Sequence, residues 1–78
     1  MDDVLKRLTA IFCQVLGNPA INLSEEYSPD DVEGWDSMSH FEMVAAVEED
    51  FSIRILSDEI RKIKTVGDFV RIIKSKRK

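Results

Sequence analysis

Apolar residues recur along this chain at helical spacing, and nowhere with the alternation of a strand. Val4, Leu5, Leu8, Ile11, Phe12, Val15 and Leu16 fall at i, i+3, i+4 and i+7, which predicts a first helix from about Asp2 to Leu16. Asp2 and Asp3 suit its start, Gly17 its end, and Pro19 lies just beyond. Residues 17–36 lose the periodicity and carry two prolines with several Asn, Ser and Asp residues. A connection of that length is expected to hide short turns or carry function. Ile21, Leu23, Tyr27 and Val32 are the residues that can pin it to a core. The period returns from about Ser37 to Phe51. Ser57, followed by Asp58 and Glu59, reads as the cap of a short third helix ending near Lys62. Thr65-Val66-Gly67-Asp68 reads as a capping box with Asp in the place of Glu, opening a last helix with Val66, Phe69, Val70 and Ile73 inward. The expected fold class is all-α, a small four-helix bundle of up-and-down type with a long first loop and a short third helix.

The second helix differs from the others because it carries two apolar stripes. Met43, Val44, Val47 and Phe51 make an ordinary core face. Met38, Phe41 and Ala45 lie on roughly the opposite side, beside Glu42 and Glu48. Two readings stand. Either the second stripe is an exposed docking patch ringed by charge, or the loop of residues 17–36 folds over it.

With 78 residues, one domain is expected, with a core too small for a deep active-site cavity. The acidic start, the lack of an apolar span and the single cysteine, Cys13, point to a cytoplasmic chain with no internal disulfide. Cys13 lies off the centre of its helical stripe, with no basic neighbour to activate it. The net charge of −4 is unevenly spread. Residues 8–53 hold ten acids and no Lys or Arg, whereas residues 54–78 hold nine basic and three acidic residues. An acidic middle repels nucleic acid and suits basic protein patches, although it also reads as a merely solvated face. The basic tail at 75–78 is expected to fray.

Chemistry concentrates at Gly34-Trp35-Asp36-Ser37-Met38. Ser37 falls at a helix start, where free N–H groups and the helix dipole favour an anion. Its hydroxyl can carry a phosphate, and Asp36 can cap the helix. His40, the only histidine, is the one candidate base for Ser37. No orienting partner for it is evident, so a packing or capping role is the expectation. Trp35 reads as a loop anchor, with contact to a group carried on Ser37 as the sharper option.

Asp36-Ser37-Met38, followed by an acidic amphipathic helix, resembles the attachment site of acyl carrier proteins, where Asp-Ser-Leu is usual. Val44 to Phe51, Ile53-Arg54-Ile55 and Lys64-Thr65-Val66-Gly67-Asp68-Phe69 resemble further parts of that family, so the likeness spans nearly the whole chain. It implies a non-catalytic carrier with 4′-phosphopantetheine attached covalently to Ser37, and Asp36 in support of the motif. It implies an acyl thioester on that arm, working as a monomer in fatty-acid, polyketide or other specialised biosynthesis. The implied partners are a phosphopantetheinyl transferase, a loading ligase or acyltransferase, and a ketosynthase or other acyl-transfer enzymes. Glu42, Glu48, Glu49 and Asp50 are then candidates for steering, and Met38, Phe41 and Ala45 for dry contact. Met38 for Leu, Ser39 where an acid is common, and Trp35 with His40 look more like discrete carriers of specialised pathways. An aminoacyl or short-acid carrier, and an unmodified interaction module of the same fold, remain alternatives.

Overall fold

A computed structural model describes residues 3–76 of the chain as four helices with no strand among the described residues. They are α1 (Asp3–Leu16), α2 (Ser37–Phe51), α3 (Ser57–Lys62) and α4 (Val66–Lys76). The predicted start at Asp2 and the last two residues of the basic tail lie outside the described residues. α1 packs against α2 and α4. Their inward stripes meet in one cluster that includes Leu8, Phe12, Met43, Val47, Val66, Phe69 and Ile73, all fully buried. Burial of these large side chains is the main favourable term in a chain this small.

The long connection is a series of turns pressed against that core. Gly17 closes α1 at φ +66°, with the Asn18 N–H on the Cys13 carbonyl at 3.0 Å. Cys13 is half-buried on its flank and faces the Ile21 carbonyl. Tight turns follow at Ser24–Tyr27 and Ser28–Asp31, the second held by the Asp31 carboxylate on the Ser28 N–H and hydroxyl. Val32 is buried, and Ile21, Leu23 and Tyr27 pack against the cluster, so the predicted pins all engage. The loop also meets the start of α4. The Glu25 and Tyr27 carbonyls accept the Gly67 and Val66 N–H groups at 2.7 and 2.8 Å. A Cβ on Gly67 would lie 3.0 Å from the Glu25 carbonyl oxygen, so any larger residue would push the loop back by a few tenths of an ångström.

One expectation about a helix end is corrected. Ser57 is the first residue of α3 rather than its cap; the cap position is Leu56, whose N–H is taken by the Glu59 carboxylate at 2.8 Å. An acid three residues on supplies one half of a capping box even when the cap residue has no acceptor. α4 continues into the basic tail, with Ser75 and Lys76 as its last residues. Lys76 Nζ pairs with Glu59 at 2.9 Å, and this ion pair ties the end of α4 to α3. The Thr65–Asp68 box forms as predicted: Thr65 Oγ1 accepts the Asp68 N–H, and the Asp68 carboxylate accepts the Thr65 and Lys64 N–H groups.

Candidate functional site

Ser37 is the first residue of α2 and is exposed. Gly34, at φ +91°, turns the chain into the helix, and Asp36 is the N-cap. The Asp36 carboxylate accepts the Ser39 N–H at 2.9 Å, while Ser39 Oγ accepts the Asp36 N–H at 2.9 Å. Ser39 Oγ in turn donates to the Gly34 carbonyl at 2.8 Å. The backbone on both sides of Ser37 is therefore fixed by a closed set of hydrogen bonds. The Ser39 N–H, with smaller help from the Met38 N–H, holds the Asp36 carboxyl below the usual carboxylate range. The Ser37 hydroxyl itself makes no hydrogen bond among the described residues.

His40 does not serve Ser37. The Trp35 indole N–H, which can only donate, reaches His40 Nδ1 at 3.1 Å. That contact puts the imidazole proton on Nε2, which faces the Ile60 carbonyl of α3 at 3.3 Å. Both ring nitrogens are thus occupied away from the serine. The imidazole stacks on Trp35 and leans on Phe69, with ring centroids 6.0 and 5.5 Å apart. Trp35 is buried edge-on against Phe12 at 5.0 Å. The pairing gives His40 its packing role and Trp35 its anchoring role, and it joins the loop, α2 and α3 beside Ser37. The Ser39 bridge to Gly34 and the Trp35–His40 bond are the parts of the site that sequence reading missed. Their only trace was two polar residues directly behind the serine.

The loop does not cover the second stripe of α2. Met38 is 75% and Phe41 60% exposed, Ala45 is exposed, and Leu56 adds a further exposed apolar side chain at the α3 cap. Glu42 and Glu49 point to solvent. Glu48 and Asp50 have structural partners. Glu48 Oε2 accepts the Ile55 N–H at 2.8 Å and holds the turn after α2. Asp50 pairs with Arg7 at 2.9 Å, while Arg7 also bonds the Asp50 carbonyl and lies over the Phe51 ring. Among the described residues no group of acids, histidines and cysteine could hold a metal ion, and no helix is long and apolar enough to cross a membrane.

A free primary hydroxyl on a rigid helix start, with no base aimed at it, fits a covalently attached phosphate-linked group. Comparison with known proteins agrees with that chemistry. Residues 6–73 match the family model for the phosphopantetheine attachment site. The chain is 40% identical to an acyl carrier protein of Acidothermus cellulolyticus, over 92% of this chain and 86% of that one. It is 38% identical to an acyl carrier protein of Caulobacter vibrioides, over 97% of each. Its fold matches the solution structure of holo acyl carrier protein from Geobacter metallireducens with a TM-score of 0.88 and 35% identity, over 96% of this chain and 86% of that one. Matched along nearly its whole length in both sequence and fold, the chain belongs to the acyl carrier protein family.

Proposed function

We propose that Ser37 is the attachment point of 4′-phosphopantetheine, and that this chain presents an acyl group on that arm to partner enzymes without catalysing the transfer itself. The observation that carries the reading is the Ser37 hydroxyl, exposed and unbonded at a capped helix start, with the only histidine turned away from it. A hydroxyl so placed is open to a separate transferase that brings its own base. When bound, the arm supplies a terminal thiol that holds a carboxylic acid as a reactive thioester.

The residues around Ser37 serve attachment rather than chemistry. Asp36 and Ser39 keep the local backbone in one conformation, so a transferase meets a preformed surface. The α2 N-terminus favours the phosphodiester charge, while Asp36 opposes it. The position tolerates the anion, which is sufficient for a covalent link. Met38 and Phe41 offer apolar contact next to the attachment point, and Glu42 and Glu49 offer charge for a basic partner. The partners of this reading are a phosphopantetheinyl transferase, a loading ligase or acyltransferase, and a ketosynthase or similar acyl-transfer enzyme.

Intact-mass measurement after co-expression with a broad-specificity phosphopantetheinyl transferase tests the reading. The wild type gains one phosphopantetheine and Ser37→Ala gains none. A wild type that stays unmodified, or a gain that survives Ser37→Ala, rules it out.

A further inference from the structure

A cleft of about 200 Å³ opens beside Ser37, lined by Pro29, Trp35, Asp36, Ser37, His40 and Ile63. Its lining is mostly apolar, and it is continuous with the attachment residue. Larger grooves lie elsewhere: one of about 430 Å³ has a mixed lining of Ile11, Gln14, Val15, Ala46, Glu49 and Asp50, and two of about 250 Å³ are lined largely by charged residues. An aliphatic chain on a flexible arm can turn back on the protein, and each methylene it buries favours that. This cleft is the apolar hollow within immediate reach of Ser37.

The cleft leads nowhere. Trp35 and His40 are joined by the indole N–H to Nδ1 bond, stacked on one another, and latched to α3 through the Ile60 carbonyl. Behind them Phe12, Phe69 and Met43 are fully buried. A chain pushing past this pair towards the core would break the Trp35–His40 bond. It would leave the indole N–H of a 4%-exposed tryptophan without an acceptor, and buried donors strongly resist that. Trp35 thus acts as a stopper, and His40 keeps it seated.

Resting on the reading of Ser37 as the attachment point, we infer that the Trp35–His40 pair is a specificity element that confines the carried acyl group to the surface cleft. The cleft is small and open to solvent, so it can shelter only a short stretch of chain. A short acyl chain finds shelter there. The added length of a longer one stays in solvent or passes to the partner enzyme.

The test uses the full chain carrying the arm, in a Cys13→Ala background so that the arm bears the one thiol. Mass spectrometry first verifies the arm. Its absence counts against the attachment reading and is thereby distinguished from failure of the inference. The thiol is then acylated with N-acylimidazoles of four, six and twelve carbons, each forming one thioester and releasing imidazole. The readouts are Tm and the indole N–H resonance of Trp35, the only tryptophan in the chain. Both are expected to shift with four and six carbons and to shift no further with twelve. In Trp35→Phe, which keeps a ring but loses the N–H, and in His40→Ala, Tm is expected to keep rising to twelve carbons. A wild type whose Tm climbs steadily to twelve carbons overturns the inference, as does one that responds to no length. So does a plateau that persists in both variants. Should neither variant fold, the wild-type series alone decides.

Discussion

The backbone on either side of Ser37 is held in place by Ser39, two residues further on. Ser39 Oγ accepts from the Asp36 N–H and donates to the Gly34 carbonyl, and the residue is 8% exposed. Ser39→Ala leaves both backbone groups without that partner, so a loss of about 1–2 kcal/mol is expected in urea unfolding. Asp36 gives a pH signature. Its folded pKa lies below the unfolded value, so its contribution is complete above the unfolded value and is lost as pH falls through the folded one. Melting temperature should therefore drop below about pH 4, and Asp36→Asn should flatten part of that drop. In the sequence, Asp36 was readable as a cap because Asp is a common N-cap. Ser39 was not, because the partner residue of a capping box is normally Glu or Gln.

Among the elements, α2 was the most legible. A glycine and an N-capping acid mark its start, and an apolar stripe runs to Phe51. Its C-terminal end is less ordinary. Ser52 adopts φ 57°, a left-handed conformation usually given to glycine, and its N–H caps the Glu48 carbonyl. Ser52→Gly should relieve that strain and stabilise the protein by about 0.5–1 kcal/mol, measured as a shift in denaturant midpoint at unchanged slope. The start of α3 was misread because its cap position is an apolar residue served by an acid three positions on, and the tie at the end of α4 was invisible to local pattern. Glu59 reaches both the Leu56 N–H and Lys76 Nζ, and the second contact spans 17 residues. Local patterns report what a residue does for its own turn and are silent about what a distant side chain does for it.

At the scale of the whole molecule, charge and exposure divide the surface. The acids concentrate between residues 25 and 50, and the bases lie mainly beyond residue 54. Only part of the acidic stretch is available to a partner, since Glu48 and Asp50 are engaged within the fold. Charge reversal at Glu42 and Glu49 should slow association with a basic transferase and reduce its salt dependence, read by stopped-flow at two ionic strengths. Phe41→Ala should instead weaken binding about tenfold, chiefly through faster dissociation. Because Phe41 is 60% exposed, its Tm should stay close to that of the wild type. Sequence periodicity exposed the second stripe but could not decide whether the loop covered it, because that depends on where residues 17–36 attach.

That attachment has a consequence for motion. The Val66 and Gly67 N–H groups bond to the Tyr27 and Glu25 carbonyls, about forty residues back along the chain. Their deuterium exchange should require the loop to lift away, and so should match the slowest-exchanging amides of the core. A loop clamped near its middle, and by the Asp36 cap at its end, is poorly suited to act as a hinge. In the proposed carrier role, travel between enzymes would then fall to the arm, turning on a stationary mount.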